Sequence, residues 1–200
     1  STPIDETLRA MDDLVRMGKV RYIGCCNFGA WQVCEALWRS DVLHLHAFTC
    51  IQNQYSLLNR WEIEPELAPL CKKHGLGIVT YSPLAIGLLS GRFRHGQPAP
   101  EGTPWADSPH YSSLYSTMLD ARADGIVQTL IDIGAAHDKS PSQVATAWIL
   151  DHAEISSVII GPDTPEHVDD VLGAAAWRLP QAAREQLDAL SMPARQIKTA

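Results

Sequence analysis

The sequence predicts an α/β fold in which helices cover a parallel sheet. Four short segments are apolar without alternation, which is typical of strands that are buried on both faces of a parallel sheet. These segments alternate with stretches whose apolar residues recur every three or four positions, which is typical of amphipathic helices. No G-x-G-x-x-G motif follows an apolar segment, so the pattern favours a βα barrel over a Rossmann fold.

Composition narrows the class of protein. The chain has 200 residues, of which 46% are hydrophobic, and we expect a single domain over residues 1–200. Its net charge of −7 disfavours nucleic-acid binding. No apolar run approaches the roughly 20 residues of a membrane span and the first residues lack a signal-peptide pattern, so we expect a cytoplasmic protein without membrane contact. The five cysteines are odd in number and lack zinc-ligand spacing, which indicates reduced thiols and no metal site.

The first predicted element is a helix over about residues 3–17. Thr2 can cap this helix, Pro3 suits its first position, Asp5 stands where a capping box has its acidic residue, and Gly18 can end it. The chain therefore begins directly on a helix start, and it begins without a methionine. We interpret this beginning as a cut within a longer domain, so that the chain is N-terminally truncated.

Strands and helices then alternate along the chain. The predicted strands cover residues 20–24, 47–52, 77–81 and 157–161. The predicted helices are one that carries Trp31, Cys34, Leu37 and Trp38, one over 62–74 that Gly75 ends, one over 123–137, one opened by a Ser140 capping box with Pro141, one capped by Thr164, and one over 181–190. Four strands are half of what a closed barrel of this type contains.

Residues 91–117 lack a periodic pattern and are rich in Gly, Pro and Ser, which predicts a long loop. Long loops inside compact domains are often functional. Its aromatic side chains, Trp105, His110, Tyr111 and Tyr115, suit a lid over a substrate. The alternative is a mobile loop whose aromatic residues only pack.

Candidate functional residues follow from the position of the strands. In a βα barrel the working residues lie just after the carboxyl ends of strands, which selects Asn27, Gln52, Tyr81, Ser82 and Gly161. The two carboxamides can donate and accept hydrogen bonds, as an amide on a ligand requires. The tyrosine ring offers a face for stacking. The glycine precedes a helix start, where free N–H groups favour a phosphate.

Each of these residues also has a purely structural explanation. Asn27 suits a turn, Gln52 can be a satisfied polar side chain, and Tyr81 can pack on the core. Capping alone explains Thr164 beside Pro165. Taken together, the strand-end residues still favour a ligand site.

Four runs of sequence resemble the aldo-keto reductase family in order and spacing. They are GKVRYIGCCNF (18–28), IQNQYSLLNR (51–60), TYSPLAIGLLSGR (80–92) and VIIGPDTPEHVDDVLGA (158–174). The resemblance covers roughly residues 2–190. It implies a TIM-type (β/α)8 barrel that reduces aldehydes or ketones with NAD(P)H, of which this chain is the second half, about four βα units and a C-terminal helix.

The resemblance also implies roles for particular residues. Asn27 and Gln52 would hold the nicotinamide carboxamide, with Cys26 where the family usually has serine, and Tyr81 would stack on the nicotinamide ring. The pyrophosphate and ribose would be lined by Ser82, Leu84, Gly87 and Arg92. The adenosine phosphate end would be bound by Gly161, Asp163, Thr164, His167 and Asp170.

Two residues depart from the family at the adenosine end. Asp163 stands where relatives often carry Ser, Arg or Lys near the 2′-phosphate of NADPH, and a carboxylate repels that group unless Arg92 or Arg94 compensates. Val171 replaces an asparagine that usually reads the adenine. NADPH is the expected cofactor, and NADH is the alternative.

The family's Asp-Tyr-Lys-His catalytic tetrad would lie upstream of Ser1. We therefore assign no catalytic residue and no particular carbonyl substrate. We expect this chain to be half of a reductase and to be inactive by itself. The alternative is a catalytically inactive half-barrel that binds cofactor or serves as a structural subunit. Such a chain would pair with itself or with the missing N-terminal half, because open sheet edges favour pairing.

Overall fold

The computed structural model describes residues 2–192, in which four strands alternate with helices. The strands are β1 (Gly24–Cys26), β2 (Cys50–Gln54), β3 (Gly77–Tyr81) and β4 (Ile155–Val158). The helices are α1 (Ile4–Arg16), α2 (Ala30–Leu43), α3 (Leu67–His74), α4 (Pro104–Asp107), α5 (Pro109–Met118), α6 (Ala121–His137), α7 (Pro141–Leu150), α8 (Pro165–Leu172) and α9 (Gln181–Ser191), with a 3-10 helix at Leu88–Ser90.

The four strands form one sheet in the order β1-β2-β3-β4. β1 pairs with β2 and β2 with β3, both in parallel. The register places Cys26 beside Gln52 and Gln54 beside Tyr81. The carboxyl ends of these three strands therefore meet at one edge of the sheet, and the predicted α/β class with a parallel sheet is confirmed.

The chain folds as two compact units. Within residues 2–192, the strand unit comprises residues 2–54, 61–81 and 154–157, and the helical unit comprises residues 55–60, 82–153 and 158–192.

The strand unit packs around one face of β2 and β3. Residues on these strands alternate in burial, so that Ile51 and Ile78 are fully buried while the opposite face is half-buried. Asp12 of α1 is also buried and accepts hydrogen bonds from the backbone N–H of His46 and from Arg16. These bonds hold the pKa of the Asp12 carboxyl well below its usual range. They attach α1 to the segment that leads into β2.

The helical unit is centred on Trp148 of α7, which is fully buried. Tyr55 stacks on this indole at 5.4 Å between ring centroids, and the guanidinium of Arg60 lies 5.1 Å from the ring centroid. Arg60 also lies 3.1 Å from the Asp188 carboxylate and donates to Ser191 at 2.8 Å. The short segment 55–60 is thereby held to both α7 and α9.

Three strands lie a few residues from their predicted positions. β1 was expected over 20–24, but Val20 is still engaged by the end of α1, where its N–H donates to the Leu14 carbonyl. Tyr22 is 76% exposed, so the apolar run over residues 20–24 does not form a buried strand along its whole length. β2 begins later than its predicted range of 47–52, β4 begins earlier than its predicted range of 157–161, and β3 matches its prediction.

The predicted start of the first helix was wrong in its details. Pro3 rather than Thr2 is the N-cap, and no side chain caps this end. Asp5 forms no capping box, because its carboxylate is bound by Arg39 of α2. The acidic residue thus links two helices instead of closing one.

The apolar residues used to predict α2 do not form its buried face. Trp31, Cys34 and Trp38 are exposed, and Val33 and Ala36 are buried instead. The helix predicted over residues 62–74 also needs a correction, since α3 begins at Leu67 rather than at residue 62.

The segment 91–117 contains two helices, so its prediction as a loop was wrong. Trp105 of α4 is 1% exposed, donates through Nε1 to the carbonyl of Ile86, and packs against Tyr111 and Tyr115. This aromatic cluster gives a polar segment a core of its own.

The local signals for helix ends were reliable elsewhere. Gly75 ends α3 with a φ of +69°, a conformation that glycine adopts without strain. Ser140 caps α7 by accepting from the Gln143 N–H, while the Gln143 side chain accepts from the Ser140 N–H. Thr164 caps α8 by accepting from the His167 N–H. These helix ends were predicted correctly because each is specified by residues no more than about three positions away in the sequence.

The two glycines of α6 allow a matched test of packing. A Cβ at Gly134 would lie 2.4 Å from the backbone oxygen of Lys139, whereas nothing lies within 4 Å of one at Gly125. We expect Gly134→Ala to lower the free energy of unfolding by about 1–3 kcal/mol. Gly125→Ala should raise it by up to about 1 kcal/mol, because alanine favours a helix. Urea denaturation measures both, and equal effects of the two substitutions would contradict the close approach.

Candidate functional site

Within the strand unit, four candidate residues lie at or near the carboxyl ends of adjacent strands. Cys26 ends β1 and Asn27 follows it, Gln52 lies in β2, and Tyr81 ends β3. Direct hydrogen bonds join them. The Tyr81 hydroxyl donates to Asn27 Oδ1 at 2.8 Å, and the Cys26 thiol donates to Gln52 Oε1 at 3.4 Å. We call these four residues the strand-end cluster.

The backbone of Asn27 is fixed in an uncommon conformation. Its φ is +58°, in the left-handed region that few residues other than glycine adopt. The Asn27 N–H donates to the carbonyl of Gln52 at 2.9 Å. This bond extends the parallel pairing by one step and sets the position of the asparagine side chain beside Tyr81.

The hydroxyl of Tyr81 is kept protonated by its surroundings. Burial raises the pKa of Tyr81, and the charge of the Glu62 carboxylate acts in the same direction. The hydrogen bond to Asn27 opposes these effects in part. At neutral pH the hydroxyl is therefore a hydrogen-bond donor on an uncharged aromatic ring.

Glu62 is a neighbour of the cluster that the sequence analysis missed. The apolar pattern assigns residue 62 to a helix, but the structure places it ahead of α3. An acidic residue near a helix start is an ordinary pattern, so nothing in the sequence linked Glu62 to Tyr81.

Two adjacent thiols have different environments. Burial raises the pKa of Cys25 to about 12, so this thiol stays protonated in the core. Cys26 is exposed at the strand-end cluster, because successive residues of a strand point to opposite faces. All five cysteines are free in the structure. No group of residues suited to a metal ion occurs in the part of the chain that the structure describes.

The candidate residues that follow β3 lie in the helical unit. The backbone here takes positive φ values at Ser82, Ala85, Ile86 and Gly87. Several strained residues in one short loop indicate a constrained conformation of the kind found at ligand sites. Leu84 lies in the same loop.

Of the two arginines considered for a phosphate, only Arg92 is available. Arg92 is exposed. Arg94 donates to both carboxylate oxygens of Asp124, at 2.8 and 3.0 Å, and to Gln128 at 2.9 Å. Arg94 therefore fixes its loop to α6 rather than facing a ligand.

The last group of candidates surrounds the start of α8. Gly161, Asp163, Thr164 and His167 are exposed, and Thr164 is the N-cap. Asp170 differs, because its carboxylate accepts from the Ser140 hydroxyl at 3.0 Å. Its position in the structure thus gives Asp170 a role in joining α7 to α8.

The structure is that of an α/β protein with polar side chains collected at the carboxyl ends of parallel strands, which is where α/β proteins commonly have their ligand sites. The sequence profile described as "Aldo/keto reductase family" matches residues 1–192. This match covers nearly the whole chain. The chain belongs to the aldo/keto reductase family.

Three curated relatives are similar to this chain, and the first of them is named as an aldo-keto reductase. The chain is 30% identical over 195 residues to aldo-keto reductase dtxS3 of Metarhizium robertsii, covering 98% of this chain and 50% of the relative. It is 30% identical to a probable voltage-gated potassium channel subunit beta of Arabidopsis thaliana, covering 87% and 52%. It is 33% identical to an uncharacterized oxidoreductase, YrpG, of Bacillus subtilis, covering 86% and 49%. The chain thus spans about half the length of these relatives.

The Arg94–Asp124 pair makes stability depend on pH. Hydrogen bonding from Arg94 lowers the pKa of Asp124 from 3.8 to about 2. A depressed carboxyl pKa stabilises the fold fully above about pH 5, and this contribution is lost as the pH falls toward 2. We expect Asp124→Asn to lower the free energy of unfolding by roughly 2 kcal/mol at neutral pH and by about half as much near pH 3, as measured by urea denaturation.

Asp132→Asn in the same helix is the control, since Asp132 accepts from the neutral Gln128. It should cost less than Asp124→Asn at neutral pH. If Asp124→Asn lowered the free energy of unfolding by the same amount at both pH values, the ion pair would contribute nothing to stability.

Proposed function

We propose that this chain is the cofactor-binding half of an NAD(P)H-dependent oxidoreductase that reduces aldehydes or ketones to alcohols. Its four strands would then be the second half of a (β/α)8 barrel. The observation that carries the proposal is the strand-end cluster, which combines two carboxamides and a neutral aromatic ring at one edge. An acidic surface and free thiols are consistent with a cytoplasmic protein whose partner is a small carbonyl compound.

The strand-end cluster suits the nicotinamide group. Asn27 and Gln52 would bind its carboxamide, and the ring of Tyr81 would pack against its flat face. When bound, the cofactor supplies a hydride to the carbonyl carbon of the substrate. The residues of this chain would hold the nicotinamide so that one face is presented to the substrate.

The helical unit would bind the rest of the cofactor. The N–H groups at the start of α8 and the guanidinium of Arg92 favour phosphate. Ser82, Leu84 and Gly87 would contact the pyrophosphate and ribose, and Gly161 and His167 would contribute at the adenosine end. We propose NADPH as the cofactor. NADH is the alternative because Asp163 carries a negative charge near the start of α8, and Arg94 is already bound to Asp124.

We assign no proton donor in this chain. Lys19 follows the end of α1 and Tyr22 is 76% exposed before β1, so neither lies at the carboxyl end of a strand. The catalytic tetrad that the resemblance implies would lie in the half of the relatives' length that this chain does not span. We therefore propose that the 200-residue chain binds cofactor but does not turn over substrate by itself.

A second candidate function is that of a cofactor-binding or structural partner subunit. One observation favours it, which is the similarity to a relative named as a probable channel subunit beta. The half-buried face of β2 and β3 would suit pairing with a second copy or with an N-terminal half. The segment 91–117 would act as a substrate lid only in the first candidate.

Substitution of Gln52 tests the cofactor site. We expect Gln52→Ala to weaken binding of NADPH and NADH by about tenfold, because one hydrogen bond to the carboxamide is lost. Fluorescence titration of the reduced cofactors measures this loss. Gln181→Ala, on the exposed surface of α9, is the control and should bind as the unmodified chain does. If the Gln52→Ala and control chains bound the reduced cofactors with equal affinity, Gln52 would not be part of the binding site.

Substitution of Asp163 tests the cofactor preference. We expect Asp163→Ser to strengthen NADPH binding by about fivefold and to leave NADH binding unchanged, because only NADPH carries the 2′-phosphate that the carboxylate repels. The control is Asp169→Ser, which removes an exposed carboxylate from the same region. The proposal is contradicted if both substitutions change the affinity for NADPH equally.

A further inference from the structure

One side of helix α2 is largely apolar although it is exposed. Six residues of this helix are exposed, and all six lie on the same side: Trp31, Cys34, Glu35, Trp38, Asp41 and Val42. Four of them are apolar, including two tryptophans that are 70% and 60% exposed. The opposite side carries the buried residues Val33, Ala36 and Ser40. The tryptophans therefore lie on the side of α2 that packing within the strand unit leaves exposed.

The spacing of four of these residues is symmetric. Trp31, Glu35, Trp38 and Val42 follow one another at intervals of four, three and four residues, so they form one row along the helix surface. We call this row the α2 stripe. Because the intervals are the same in both directions, two such rows can align antiparallel about a twofold axis. Trp31 of one copy then faces Val42 of the other. Glu35 likewise faces Trp38.

The Trp38 side chain is already held in place within one chain. Its ring centroid lies 5.3 Å from the guanidinium carbon of Arg39, and Arg39 donates to both carboxylate oxygens of Asp5 in α1. A side chain that is ordered before association loses less entropy when a partner covers it. Trp38 is therefore suited to be the anchor at the centre of an interface.

The charges on α2 favour the antiparallel arrangement. When Trp38 of one copy faces Glu35 of the other, Arg39 comes beside the same Glu35, so that opposite charges meet across the twofold axis. In a parallel pair each residue would face its own equivalent, and two Glu35 carboxylates would meet at the centre of the row. Like charges in contact disfavour that arrangement.

The exposed apolar area of α2 is close to what a dimer interface needs. A tryptophan side chain presents up to about 250 Å², so Trp31 and Trp38 offer roughly 300 Å² together at their observed exposure. Val42 and Cys34 add to this area. An interface of standard size buries about 800 Å² on each partner, of which a little over half is apolar. The two tryptophans thus supply most of the apolar area that pairing requires.

We infer that the α2 stripe is a docking surface for a second copy of this chain, in which the two α2 helices pack antiparallel about a twofold axis. The stripe contains no residue of the strand-end cluster. The inference therefore does not depend on cofactor binding, and its test needs no cofactor.

Sedimentation velocity of the 200-residue chain tests the pairing. We expect the dimer fraction to rise between about 1 and 100 µM protein. Trp38→Glu should raise the dissociation constant of the dimer at least about tenfold, because it removes the anchor and places a second carboxylate opposite Glu35. The control is Trp61→Glu, since Trp61 is a 64% exposed tryptophan of the same unit outside α2. It should change the dissociation constant by less than about threefold.

Three results of this experiment would overturn the inference. A chain that stays monomeric over the whole concentration range would leave the α2 stripe to a different partner. A dimer that persists in Trp38→Glu would use another surface. Equal effects of Trp38→Glu and Trp61→Glu would show that the loss of any exposed tryptophan weakens the association.

Mixing two charged variants tests the antiparallel alignment. In the inferred dimer, the lysine of a Trp31→Lys chain faces the glutamate of a Val42→Glu chain, whereas neither variant gains an ion pair with a second copy of itself. We expect an equimolar mixture to associate at least about fivefold more tightly than either variant alone. In a parallel pair the two introduced charges lie at opposite ends of the row and bring no gain. A mixture that associates no more tightly than the separate variants would overturn the antiparallel arrangement.

Discussion

The parallel register between β1 and β2 is the constraint on which the candidate site depends. Cys26 pairs with Gln52, and the N–H of Asn27 then donates to the Gln52 carbonyl at 2.9 Å. This bond ends the strand and holds Asn27 at a φ of +58°. α2 begins three residues later, at Ala30. A shift of one residue in the register would move the Asn27 side chain away from Tyr81 and turn Gln52 to the other face of the sheet.

The sequence predicted that three residues of the strand-end cluster lie at or near strand ends, but it did not predict the bonds between them. Functional side chains gather at the carboxyl ends of parallel strands, and this rule alone selected Asn27, Gln52 and Tyr81. The bond between Tyr81 and Asn27 spans 54 residues, and it depends on strand order and side-chain rotamers that no local pattern encodes. The same is true of Arg94, whose partner Asp124 lies 30 residues away.

For the fold, prediction succeeded where the signal was local and failed where distant contacts decide. The capping box of Ser140 and the boundaries of β3 were predicted correctly, because neighbouring residues specify them. The start of β1 was misplaced because the N–H of Val20 remains bonded to α1. The helices α4 and α5 were missed because they are held by Trp105 packing against Tyr111 and Tyr115, which periodicity does not show.

The chain passes between its two units five times, at residues 54, 60, 81, 153 and 157. The last piece of the strand unit, residues 154–157, is therefore separated from the rest by the whole segment 82–153. During translation, the sheet cannot be completed until most of the helical unit has left the ribosome. The same interleaving restricts recombination, because any single crossover between residues 55 and 157 divides both units. Neither unit can therefore be exchanged between genes as one contiguous exon.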